Sequence, residues 1–176
     1  MSTDPSAGDF EHRSWGPDPY GGMVKKHMLG VFGDSLKDLL ASRRATVRVL
    51  SDVDPRRRLG AFCLIAKHWS PDASEEELYR RAALADSDPE VRVEALRCWS
   101  HLYTGSRDAA FSRTLAHIVG HESEAPAFRS AAYLALCSVQ LIEVPSHLEF
   151  LKSLVYDQDR LPKELDWEIV NRFLSA

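Results

Sequence analysis

Four prolines, Pro55, Pro89, Pro126 and Pro162, recur at spacings of 34, 37 and 36 residues, each where a helix would begin. Proline at the first helical position loses nothing. That N–H has no intrahelical partner, and the ring already holds φ near the helical value. Asp54 and Asp88 precede the first two prolines and are suited to cap the orphan N–H groups that follow. An arginine stands three residues after three of the prolines (Arg58, Arg92, Arg129) and an alanine six after (Ala61, Ala95, Ala132). One residue further on come Phe62, Leu96 and Tyr133. A small residue followed by a large one at a fixed place in each helix predicts equivalent helices that approach closely and interdigitate.

Second amphipathic segments lie between the prolines, and serines mark their starts. Ser74 with Glu77 and Ser146 with Glu149 form capping-box patterns, Ser35 with Asp38 is a lesser version, and Ser106 lacks the acid. Gly105 and Gly120 fall where helices should stop. The order is therefore helix, turn, helix, repeated about four times from residue 34 onward. A two-helix unit cannot bury its own apolar stripe, so stacking of neighbours is the expected solution. The last unit carries Leu165 and Glu168 where arginine and alanine stood, as a terminal cap would. Residues 1–22, rich in Pro, Gly, Ser and Asp, read as a flexible N-terminal arm in which Trp15 or Tyr20 could anchor. Residues 23–176 read as the repeat domain, with a short helix over 23–32 ended by Gly30 or Gly33.

The segments at 52–64 (DVDPRRRLGAFCL) and 86–98 (DSDPEVRVEALRC) resemble HEAT repeats, especially those of the phycobilin-lyase type. The segment at 122–136 (ESEAPAFRSAAYLAL) is a looser match, with Glu124 and Ala125 in place of the acid before proline. The resemblance implies an all-α fold, a right-handed α-α superhelix of about four helical hairpins. It also implies that Asp54, Asp88, Arg58, Arg92 and Arg129 serve a structural ladder between units. Families of this kind include adaptors, immunity proteins that neutralise toxins, bilin lyases and enzymes that excise alkylated DNA bases, so the fold does not choose among them.

Charge narrows the choice. The net charge is −4, which opposes generic phosphate binding. Residues 23–58 nevertheless hold nine Lys or Arg against four Asp or Glu, while residues 59–176 hold twelve against eighteen. Such a polarity can orient a charged partner. Cys63, Cys98 and Cys137 form no CxxC pair, and a disulfide would leave one over, which suits a reducing compartment. The polar start and the absence of a long apolar run lead us to expect a cytoplasmic protein that neither spans nor binds a membrane.

No phosphate-cradling glycine loop, GxSxG or HExxH occurs. His117 and His121 are spaced i, i+4, but Gly120 intervenes and no third ligand is at hand; Cys98 and His101 could touch on a helix but lack an orienting group. We therefore expect no catalytic set, cofactor or metal. Trp99 matches Ile65 and Leu136 in the sister helices and reads as core, whereas Trp69 falls at a helix end beside Lys67 and His68. The expected function is a non-enzymatic protein-binding module, an adaptor or an acidic toxin-neutralising immunity protein. It would grip a protein with a concave face including Arg56, Lys67, Trp69, Glu90, Glu94, Arg97, His101 and Ser130. The alternative is a DNA-binding enzyme of the alkylated-base glycosylase type, with Trp69 or Trp99 on the lesion and the arginines of residues 43–58 on phosphates. A bilin-handling role rests on repeat type alone.

Overall fold

The computed structural model describes residues 28–144 and 165–175, and all regular structure among them is helical. A helical turn at 28–32 precedes eight helices. These are α1 (Leu36–Ala41), α2 (Arg43–Val49), α3 (Pro55–Leu64), α4 (Glu76–Ala85), α5 (Pro89–His101), α6 (Ala109–Gly120), α7 (Pro126–Gln140) and α8 (Trp167–Leu174). The expected arm over 1–22, the Ser146 and Glu149 cap, and Pro162 lie outside the described residues.

Pro55, Pro89 and Pro126 each open a helix. The Asp54 carboxylate accepts from the Arg56 N–H, and that of Asp88 from the Glu90 and Val91 N–H groups, so both cap as expected. The serine caps are corrected. Asp72, not Ser74, accepts at the turn Ala73–Glu75 that leads into α4, and Asp108, not Ser106, caps α6 through the Phe111 N–H. Ser35 donates to the Phe32 carbonyl at 2.6 Å and makes no capping bond. In the first two cases a carboxylate lies two residues away and takes an N–H of its own, that of Ser74 for Asp72 and that of Phe111 for Asp108, and a charged acceptor binds an orphan donor more strongly than a hydroxyl does.

Side-chain bonds fix how the helices run. Arg92, near the start of α5, donates to the Ala83 carbonyl near the end of α4, while Trp99, near the end of α5, donates to Glu76 at the start of α4. The pair is therefore antiparallel. Arg129 to the Val119 carbonyl and Gln140 to Ser112 show the same for α6 and α7. Each proline-started helix also packs on the next, α3 on α5 and α5 on α7. These contacts are parallel: Arg58 meets Asp86 at the starts of α3 and α5, and Cys98 meets the Phe62 carbonyl towards their ends.

The repeated positions fill this stack. Ala61, Ala95 and Ala132 are fully buried, as are Phe62, Leu96 and Tyr133 beside them. Arg58 spans to Asp86 at 2.6 Å and Arg92 to Glu124 at 2.8 Å, each tying one unit to the acid just before the next proline. The guanidinium of Arg92 also lies 4.2 Å from the centroid of the Phe128 ring. After α5 the chain turns through Gly105 (φ +71°), where a side chain would be strained, and the Gly105 and Arg107 N–H groups cap the Ser138 and Val139 carbonyls at the end of α7.

The ends depart from the repeat. Gly33 (φ +53°) ends the turn at 28–32, whereas Gly30 lies within it. α8 begins at Trp167 with Asp166 as its cap, five residues beyond Pro162, and packs on α6. At the other end Phe32 lies on Gly60: a Cβ there would come within 2.5 and 2.7 Å of the ring. Gly60→Ala gains helix propensity worth about 1 kcal/mol, but a clash against a buried ring costs about 1–3 kcal/mol. We expect a net loss of about 1 kcal/mol in urea unfolding, vanishing in a Phe32→Ala background; an unchanged cost there would refute the contact.

Candidate partner-binding face

Positions one, five, eight and twelve after a proline share one face of an α-helix. In α3 and its continuation they are Arg56, Gly60, Cys63 and Lys67; in α5, Glu90, Glu94, Arg97 and His101; in α7, Ala127, Ala131, Leu134 and Ser138. Helix α3 packs on α5 and α5 on α7, so the three sets lie on neighbouring helices. Arg56, Lys67, Glu90 and His101 are exposed, and Arg97 and Trp69 are half-buried.

Two expected face residues do not face solvent. Glu94 is 6% exposed and accepts a 2.7 Å ion pair from Arg97, so its charge is spent inside the row. Helix α5 is flanked by α3, α4 and α7, and only a narrow strip of it remains open. Ser130 is 4% exposed because it sits four residues after its proline, the position of the buried Val93 in α5. Ala127, Leu134 and Ser138 are the α7 members of the row that are not buried, and counting from Pro126 in the register of α5 finds them.

Trp69 closes a π-helical turn, Ile65–Trp69, that continues α3. Its indole N–H donates to Thr46 at 3.2 Å, and Arg43 binds the Trp69 and Ser70 carbonyls while pairing with Glu75. The clamp holds Ser70 at φ +64°, a region costly for a residue with a Cβ. Trp69 is thus fixed on α2 and half-buried there. Trp99 is nearly buried, donates to Glu76 and meets Phe111 edge-on. Glu76 also accepts from Tyr103 at 2.6 Å, which pushes that phenol up to about 12.

The surroundings of Cys63 and Cys98 do not favour a thiolate. Burial, and after it the Glu94 carboxylate, push the Cys63 thiol up to about 12; burial raises Cys98 as well, and its hydrogen is directed at the Phe62 carbonyl at 3.7 Å rather than at a base. His101 is exposed. His117 is exposed on α6, while His121 lies beyond its end and bonds Ser123 at 2.9 Å. Among the described residues no three His, Cys, Asp or Glu side chains gather as a metal site, and no helix is long and apolar enough to cross a membrane. No protein-family model, curated protein or solved structure matches the chain.

The row can therefore offer charge and shape. Its α3 end is basic, its α5 centre carries both signs, and its α7 end is uncharged.

Proposed function

We propose that the chain is a short right-handed α-α solenoid of HEAT-like hairpins and acts as a non-enzymatic protein-binding module in the cytoplasm. Its concave face would be the row carried by α3, α5 and α7, with a protein as the partner; an adaptor or an immunity protein are the two forms this takes. The observation that carries the reading is the parallel packing of the three proline-started helices, with Arg56, Lys67, Glu90 and His101 exposed in one register. Side chains presented on a rigid stack lose little entropy when they engage a complementary surface.

The reading is tested by reversing the row. In cross-linking and affinity capture from the native source, Arg56→Glu with Lys67→Glu should reduce recovery of a specific protein about tenfold, as expected for charges that steer and hold a partner. Arg113→Glu, an exposed change on α6, should leave recovery unchanged. Both proteins should unfold within about 0.5 kcal/mol of the parent, the usual range for surface substitutions. Equal recovery by all three, or no specific protein at all, would refute the reading. A mobility shift of alkylated DNA at low salt would favour the base-excision alternative. That alternative needs Trp69 on the lesion, since Trp99 is closed off by Glu76 and Phe111.

A further inference from the structure

A cleft of about 330 Å³, lined by none of the row residues, opens between the connection from α2 to α3, the first turn of α3, and α4. Its volume lies at the lower end of the range for ligand sites. Leu50, Leu78 and Ala82 give it an apolar floor, and Arg58, Asp86 and Arg81 supply its charges. Arg58 is fully engaged. Its Nε and Nη2 take both Asp86 oxygens at 2.8 and 2.6 Å, and Nη1 donates to the Asp52 and Val53 carbonyls. This pair neutralises itself and forms a rigid wall.

Arg81 is different. It is exposed and makes no hydrogen bond or ion pair among the described residues, and Glu77, one turn before it, is held by Arg80 at 2.7 Å. The cleft thus presents one uncommitted guanidinium above an aliphatic floor, on a chain whose net charge is −4. A guanidinium fork fits a carboxylate through two parallel N–H bonds, and the floor fits a branched aliphatic side chain. The walls come from two consecutive hairpins, so an occupant would bridge them.

We propose that this cleft takes an acidic-aliphatic peptide segment of a partner protein, with a carboxylate on Arg81 and an adjacent leucine-like side chain over Leu50, Leu78 and Ala82. Because the cleft is open to solvent on one side, a peptide can insert side chains while its backbone stays hydrated, avoiding the cost of burying unpaired amides. The site shares no residue with the α3, α5 and α7 row, so its failure would leave that reading intact.

The test uses the full chain and a fluorescein-labelled, capped hexapeptide alternating leucine and aspartate. Anisotropy should show saturable binding, weakened at least about tenfold by Arg81→Glu and by replacing the aspartates with asparagine. Ala85→Phe, which fills the rim of the cleft, should weaken it also; Arg81→Glu is a surface change and stands as the deciding variant if Ala85→Phe does not fold. Amide shifts in ¹H–¹⁵N spectra should centre on Leu50, Leu78 and Ala82. No saturable binding, an affinity indifferent to Arg81→Glu, or shifts centred elsewhere would overturn the proposal. Displacement of the peptide by an equal concentration of octanoate would also overturn it, assigning the cleft to free aliphatic carboxylates.

Discussion

Phe62→Ala is expected to destabilise the protein by about 4 kcal/mol, the upper part of the range for removing a buried aromatic ring. Domains of this size commonly hold only about 5–15 kcal/mol in total, so the variant should be close to unfolding at 37 °C. Phe62 is fully buried, meets the Tyr79 ring edge-on at 6.3 Å, and its carbonyl receives the Cys98 thiol. It lies in the layer where α3, α4 and α5 come together, and the rigid helices around it cannot collapse into the space left behind. Urea unfolding followed by far-UV circular dichroism measures the loss. A cost under about 1 kcal/mol would mean that α3 does not pack on α5 as described.

Arg58→Ala should cost about 3 kcal/mol, near the lower limit for breaking a buried ion pair. The Arg58 and Asp86 side chains are 12% and 8% exposed, so the orphaned carboxylate would gain little hydration, and the Asp52 and Val53 carbonyls would lose their donor. Replacing both partners, Arg58→Leu with Asp86→Leu, should cost less than Arg58→Ala alone, because no buried charge is then left without its counterpart. A double variant as damaging as the sum of its singles would show that the two side chains are not coupled. The contrast matters for the repeat, since this bond links consecutive hairpins and Arg92 with Glu124 repeats it one unit on.

The stack and its ladder were unequally readable. Proline positions, with arginine three and alanine six residues later, gave the starts of three helices and their buried layers, because backbone geometry ties each residue to a fixed angle on its own helix. The acids that receive the arginines were harder to find. Asp86 and Glu124 precede their prolines by three and two residues, and Glu124 looks like a departure from the pattern until Arg92 is seen to reach it. The signal was an acid just before each proline, but only the distance between neighbouring units decides which acid is met.

The candidate face shows the same division. Arg56, Lys67, Glu90 and His101 are exposed, as their place off the apolar stripe suggested. Glu94 is polar and obeys the same periodicity, yet it is buried, because a helix with neighbours on three sides keeps only a strip of solvent contact. Ser130 avoids the apolar stripe by spacing, yet it occupies the place that the buried Val93 holds in α5, and the packing of α7 encloses it. The cleft beside Arg81 has no signature along the chain: its two sides, from Leu50 to Arg58 and from Leu78 to Asp86, are 20 or more positions apart.

Local chemistry thus determined where α3, α5 and α7 start, which capping acids stand before Pro55 and Pro89, and which repeated side chains would be hidden. Those features depend on bonds and angles within a few residues, and the amino-acid order specifies them directly. The tertiary structure alone decided that Arg58 takes Asp86, that α8 lies on α6, that Glu94 is enclosed, and that Arg81 lines a cleft. Each of these depends on which surfaces meet in space, and that is set by how whole helices pack rather than by any one stretch of chain.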